Sequence, residues 1–504
     1  MTSATKQIAL ASALGYLLIV LQLIGQAFLT PYVVSSIGAE SLGKYSFVFQ
    51  YYGILTLLEM GFTPALTQFL TKSRVGGEER AHFIDFQAGI IGIVLFSLLT
   101  SLPLIIISIY SDNIFQIESL KLSEASYVSW MLAVCILCRA PFLIFRFSLI
   151  SMNQQWKSHV GSIVGLLTRL FVSVILIEIE ASWFALIKAF VLSELVSNIF
   201  LFFIHPKINW KVALANRRSE VIGAIQSMVK FGFKLVPMQI TSRIMFATDS
   251  IVIGMFHSAS TVAIFYSSQM PSFLAFQSLF IFADSMLPTL TTMYSSGHVY
   301  KFRKLVLSSI RMFFAMGVGL AVGILCFNES VVVHWLGREL YAGNLVTVPL
   351  AFFSFAQIVS HLLIIVLISI SNMEKWANVS LLSSFTKLVV SVLLCKFFDY
   401  RLVMLASLVV EIPIMIFLLK RVIDSLQVDY KYFVMSTIKK QMPFVGFVSA
   451  VGVLSSIILT YKPSLTGLVS AIAFYMSLSI ISFYYGILTA NERSSVYDKL
   501  STYF

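Results

Sequence analysis

Positive charges stand in this chain where an apolar sequence tolerates them least. Arg139, Arg169, Arg243 and Lys387 fall near the middle of long apolar runs, and Arg146, Lys234 and Arg311 fall nearer the ends of such runs. A charge at the centre of a bilayer costs about 2.5–3.5 kcal/mol on insertion scales, so it has to face protein or water. Arg139 and Arg146 are seven residues apart, two turns of helix, and therefore share one face. Pro141 between them opens the helix locally. Buried acids are fewer: Glu59, Glu194, Asp249, Asp284 and Glu411, with His361 also deep in its run. These acids are available for structural salt bridges. Arg146, Lys234 and Arg311 lie close enough to an end to snorkel to the interface, which is the preferred reading for Arg311. Arg139, Arg169 and Arg243 are too deep for that.

Arginines gathered inside a membrane imply an anionic passenger. The planar guanidinium donates two hydrogen bonds at once and so suits phosphate. A lipid diphosphate needs its head group carried through a wet, positive cavity while its tail stays in lipid. The candidate cavity residues are Arg139, Arg146, Arg169, Arg243 and Lys387; Glu59 and Asp284 are candidate structural or coupling acids.

The elements that must hold these residues are membrane spans. Of the 504 residues 58% are hydrophobic and only 12% charged, more apolar surface than a soluble chain could bury. About 20 apolar residues cross the hydrocarbon core, and about fourteen such runs are predicted: 8–34, 44–71, 85–109, 125–150, 158–179, 181–204, 228–256, 260–292, 304–327, 345–371, 376–398, 400–420, 441–461 and 465–488. No stretch between them is long enough for a soluble domain. With the N-terminus inside, the inner segments carry 20 Lys and Arg and the outer ones five, as the positive-inside rule requires. Both termini are then cytoplasmic. The first run, from about Ile8 to Thr30, is too long for a signal-peptide core and reads as the first span.

A faint internal repeat divides the chain. Ile37 to Tyr45 and His257 to Phe265 each precede a long apolar span with an acid (Glu59, Asp284), a proline (Pro64, Pro288) and a short basic loop. Six spans separate the copies, so the repeat is parallel, about an axis along the membrane normal. The expected architecture is all-α and polytopic: a six-helix lobe over 1–204, a cytoplasmic linker or interfacial segment over 205–227, a second six-helix lobe over 228–420, and a loop, two further helices and a short tail over 421–504. Prolines 64, 141, 237 and 288 are expected to give the helices their bends.

Other function classes fit poorly. The net charge of +12 is scattered over short loops, which argues against nucleic acid. Cys135 and Cys138 have CxxC spacing inside a predicted span, where small packing residues are expected and not a redox or zinc site. Neither a metal-ligand cluster nor a phosphate-binding glycine loop is recognised, and no cofactor is implied. A membrane glycosyltransferase or polymerase needs a large outer loop with paired carboxylates, and the largest outer loop, about 328–344, offers only His334, Glu329 and Glu339.

Two motifs carry a resemblance. Gly38-Ala39-Glu40-Ser41-Leu42-Gly43-Lys44-Tyr45 resembles the G-x-x-x-(Y/L)-G-x-(Y/F) turn of the polysaccharide transport family, and Leu57-Leu58-Glu59-Met60-Gly61-Phe62 its L-x-(D/E)-x-G-(F/L) element. The region from Arg139 to Arg169, with Gln154-Gln155-Trp156-Lys157, is similar to its fourth and fifth helices. That family holds the Wzx-type O-antigen and oligosaccharide flippases of the multidrug/oligosaccharidyl-lipid/polysaccharide superfamily. The resemblance implies a flippase of a bacterial cytoplasmic (inner) membrane, serving lipopolysaccharide or a similar glycan. It would move polyprenyl-diphosphate-linked glycan to the outer leaflet by alternating access. It also implies coupling to H+ or Na+, contact with membrane lipids, and polysaccharide polymerase and chain-length regulator partners. Two relatives remain as alternatives. A cation-coupled multidrug exporter usually has an acid in its first helix, where this chain has Gln22 and Gln26. A lipid-linked peptidoglycan precursor flippase has arginines near its first helices that are missing here.

Overall fold

In hydrocarbon a backbone has no water to bond, so a chain this apolar closes its hydrogen bonds within helices. The computed structural model describes residues 3–76, 79–114, 122–206, 218–233, 236–370, 374–433, 435, 439–461, 464–490 and 492–494. Helix is the only regular structure among them. Two compact units result, Met1–Ala263 and Ile264–Phe504.

The first unit contains α1 (Ser3–Leu55), α2 (Leu57–Met60), α3 (Phe62–Val75), α4 (Glu79–Ile114), α5 (Leu122–Ser151), α6 (Gln155–Glu180), α7 (Phe184–Ile204), α8 (Arg218–Phe233) and α9 (Val236–Phe256). Helix α10 (Ala259–Ser295) begins in this unit and continues into the second. There follow α11 (Val299–Leu336), α12 (Asn344–Ser369), α13 (Glu374–Phe397), α14 (Val403–Leu426), α15 (Tyr430–Phe433), α16 (Met442–Tyr461) and α17 (Leu465–Ser482).

Twelve helices among the described residues are long and apolar enough to cross a membrane. The fourteen predicted segments reduce to these twelve in a simple way. Helix α1 holds the first span and the start of the second, joined across Gly38, whose φ of 82° and ψ of 162° are not helical. Only glycine reaches that region without strain. The other difference is the segment 228–256, whose apolar helix Ala247–Phe256 falls short of the length of a full span. The closely spaced predicted pairs separate cleanly: α6 ends at left-handed Ala181, and a short turn at Tyr400–Leu402 precedes α14. The chain is thus an all-α, multi-pass membrane protein. Its outward-facing side chains agree, with Phe28 and Phe203 each 75% exposed, a burden in water and none in lipid.

Of the predicted linker, 207–217 lies outside the described residues. The remainder enters α8, where Val221 and Met228 join a core with Phe62, Leu66, Leu70, Phe86 and Ile144, and Glu220 pairs with Arg80 at 2.8 Å. Pro64 sits in the first turn of α3, where its missing N–H has no partner to lose. Pro141 lies inside α5, which runs on past it. Pro237 falls in the first turn of α9 and Pro288 within α10; their side chains lie outside the described residues.

Helices α6 and α7 approach closely because α6 carries Gly161 and Gly165, a small-xxx-small pattern that favours membrane helix pairing. A Cβ on Gly165 would stand 2.9 Å from Cβ of Ser197 and 3.2 Å from the Ser193 carbonyl oxygen. Ser197 Oγ donates to the Gly161 carbonyl at 2.8 Å. In the second unit, α16 and α17 pack on α11 around Phe327, Phe444, Val448 and Tyr475, and the Tyr475 hydroxyl donates to the Gly319 carbonyl at 2.6 Å. Arg311 pairs with Glu492, past the last apolar helix, at 2.6 Å.

Candidate functional site

The close α6–α7 pair, with α5 beside it, encloses a cavity of about 380 Å³ in the first unit. Its walls include Gln22 of α1, Arg139 and Arg146 of α5, Ser162 and Arg169 of α6, and Phe190, Ser193, Glu194, Ser197 and Asn198 of α7. A larger cavity of about 600 Å³ in the second unit, walled by residues such as Phe327, Phe444 and Tyr475, has no charged residue in its lining. A charged head group would therefore be drawn to the smaller one.

The three arginines in this cavity are held differently. Arg139 is committed: its Nη2 donates to Glu59 Oε2 at 2.6 Å, and both side chains are nearly buried, at 10% and 7% exposure. Ser97 donates to the other Glu59 oxygen at 2.9 Å. The second nitrogen of Arg139 lies 3.5 Å from Glu194 Oε2. Glu59 is not part of the cavity lining, whereas Glu194, with a side chain 32% exposed, is.

Arg146 spans three helices, donating from α5 to Ser162 of α6 at 2.9 Å and to Ser197 of α7 at 3.1 Å. Both partners are neutral hydroxyls. Arg169 donates to the Tyr45 hydroxyl and lies 5.5, 5.2 and 5.8 Å from the ring centroids of Tyr45, Phe49 and Phe190. Aromatic faces favour a cation without neutralising it. Tyr52, one turn past Phe49, underlies Arg139 at 5.8 Å. Among the described residues neither Arg146 nor Arg169 has a carboxylate within ion-pair distance. With Glu59 set against Arg139, two guanidinium charges remain on the cavity wall against one carboxylate, Glu194. A cavity so charged and donor-rich is chemically suited to an anion with several acceptor oxygens.

Lys387 and Asp284 lie in the second unit. The Arg243 side chain lies outside the described residues. Lys387 of α13 is fully buried in the second unit, within electrostatic reach of Glu411 of α14; Glu411 also accepts from Gln357 Nε2 at 2.8 Å. Asp284 faces His361, Oδ1 to Nε2, at 2.9 Å. The sequence reading missed the aromatic set Tyr45, Phe49 and Phe190 and the serines around Arg146. The spacing of Tyr45, Phe49 and Tyr52 on one helical face was an available signal.

The sequence profile of a family described as polysaccharide biosynthesis protein matches residues 12–294. No curated protein matches the chain. Among solved structures, "Lipid II flippase MurJ, inward closed conformation" is similar with a TM-score of 0.67 at 14% identity, over 94% of this chain and 99% of that one. An inward-facing multidrug resistance MATE family transporter of the MOP superfamily gives 0.61 at 13% identity, over 84% and 99%. A MOP superfamily transporter from Pyrococcus furiosus, described as having a binding pocket of reverse polarity, gives 0.54 at 14% identity, over 84% and 96%. At these identities the likeness is one of fold.

Proposed function

The chain belongs to the family described as polysaccharide biosynthesis protein, and from that premise we propose that it is a flippase for polyprenyl-diphosphate-linked oligosaccharide, moving it from the cytoplasmic to the outer leaflet. The observation that carries this reading is the convergence of Arg139, Arg146 and Arg169 on one cavity inside a membrane protein, two of them without a carboxylate partner among the described residues. Arg146 and Arg169 receive the diphosphate in this reading. Arg139, held by Glu59, fixes the floor of the site. Serines 162, 193 and 197 and Asn198 supply neutral hydrogen-bonding groups beside them.

The fold likeness to a lipid II flippase and to MATE transporters supports alternating access, with the head group shielded while the tail remains in lipid. Arg243 is retained as a proposed contributor, Asp284 as a proposed structural or coupling acid, and H+ or Na+ as the coupling ion; Lys387, buried in the second unit, is proposed only as a charged partner of Glu411 there. A cavity lined by three arginines and one glutamate suits an anion better than the cationic drugs of an exporter.

Reconstitution tests this reading. The purified protein is placed in liposomes with a polyprenyl-diphosphate-linked oligosaccharide, and its exposure to a glycan-modifying enzyme outside is followed. Protein-dependent translocation lost in Arg146→Ala and Arg169→Ala is the expected result. No translocation of any such lipid, under ion gradients of either direction, overturns it.

A further inference from the structure

Glu194 is out of place in a cavity built for an anion. It lines the same wall as Arg139, Arg146 and Arg169, and its carboxylate sits at 3.5 Å from Arg139, which already has a tighter partner in Glu59 at 2.6 Å. Glu59 is the buried, fixed counter-ion; Glu194 is the loose one that opens onto the cavity. Arg146 also lies within electrostatic reach of Glu194. In about 380 Å³ a phosphate group on these arginines and an ionised Glu194 would stand within a few ångströms of each other, and like charges at that separation repel strongly away from bulk water.

We infer that Glu194 is an exchangeable counter-ion: an ionised carboxylate on Arg139 when no anion is bound, and a neutral carboxyl, having taken up one proton from solvent, when a phosphate group occupies the arginines. This rests on the anion-carrying reading above and assigns the group through which that site senses protons. A second observation supports it. Asn198, one turn further along the same face of α7, lines the cavity and is 1% exposed. Its amide nitrogen donates to the Glu194 carbonyl at 2.8 Å, while its buried Oδ1 has no hydrogen-bond partner among the described residues. A protonated Glu194 is a donor that this acceptor lacks. The other titratable or charged groups facing Glu194 and its arginines are Glu59 from α2, Tyr52 from α1 and Cys135 from α5, His159 from α6, near Arg146, and Arg169 itself.

The test is binding of inorganic pyrophosphate to the full-length protein in detergent by titration calorimetry. Glu194→Gln is expected to bind more than about a hundredfold tighter than wild type at neutral pH, because wild type has to take up a proton there and an ordinary glutamate carboxylate does so across a gap of about 2.7 pH units. The ratio of the two affinities should fall towards one as the pH is lowered; the probe's own titration is common to both proteins and cancels. Glu194→Asp, which keeps the charge, should stay near wild type. Equal or weaker binding by Glu194→Gln, or a ratio independent of pH, overturns the inference and leaves the anionic cavity standing. If Glu194→Gln does not fold, wild type alone decides. Its affinity for sulfate, a dianion throughout the working range, must fall as pH rises, and a flat profile overturns the inference. Binding that survives Arg146→Ala together with Arg169→Ala, or no binding at all, removes the anionic-cavity reading and this inference with it.

Discussion

Arg139→Ala removes the one guanidinium within ion-pair distance of Glu59 among the described residues. Glu59, with 7% of its side chain exposed, would keep, among the described residues, the Ser97 hydroxyl at 2.9 Å. Breaking a buried pair by deleting one member costs about 3–5 kcal/mol, because the remaining charge is stranded. Adding Glu59→Gln removes that charge. The double variant should then recover most of the loss, short of about 1–2 kcal/mol for the hydrogen bonds and packing that are gone. The recovery is thus about 2–3 kcal/mol, and the coupling energy of the cycle exceeds it by whatever Glu59→Gln costs alone. The assay is equilibrium unfolding at fixed detergent concentration for wild type, both single variants and the double variant, with translocation measured in parallel. The double variant should be folded and still fail to transport, since Arg139 is missing from the cavity. Stability of Arg139→Ala equal to wild type, or a further loss on adding Glu59→Gln, would refute the assignment of Glu59 as the fixed counter-ion.

Arg146→Ala should leave stability within about 1 kcal/mol of wild type, because it releases two neutral hydroxyls and strands no charge; translocation should nevertheless be lost, measured in the same liposomes. Gly165→Val should separate α6 from α7, costing about 1–3 kcal/mol by overpacking against Ser197 and Ser193; unfolding curves and loss of pyrophosphate binding would register it. At the C-terminal end, burial pushes the Glu492 carboxyl up, but hydrogen bonds from Ser308 and Thr489 and the charge of Arg311 outweigh it and hold the carboxyl below its ordinary value. A depressed carboxyl stabilises the fold above its unfolded value and loses that contribution as pH falls through the folded one. The melting temperature of wild type should therefore exceed that of Glu492→Gln at neutral pH, and the gap should close under acid conditions.

Much of the fold was legible because the membrane makes secondary structure a local matter. A run of about 20 apolar residues has to be a helix wherever it lies, since lipid offers its backbone nothing else. The break at Gly38 was legible for the same local reason, as part of a short polar turn between two such runs. The end of α1 was harder. Predicted as one span over 44–71, it is cut at Thr56 and Gly61 into α1, α2 and α3; the apolar span stops at Leu55, and α3, with Thr63, Gln68, Lys72 and Arg74, is more polar than the run before it.

The candidate site divides along the same line. That Arg139 and Arg146 share a face followed from their spacing, and that deep arginines need protein or water around them followed from the cost of a charge in lipid. Their partners did not follow. Glu59 is 80 residues from Arg139, and Tyr45 is 124 from Arg169. Which acid neutralises which cation depends on how α5, α6 and α7 pack, and that packing turns on two glycines in α6 and the small side chains of α7. Sequence alone determined that this protein crosses a membrane many times and carries buried cations, because both are consequences of local composition in a solvent of low dielectric. The tertiary structure alone decided that Arg139 is spent on Glu59 while Arg146 and Arg169 remain available, because pairing is a matter of a few ångströms between residues that the chain keeps far apart.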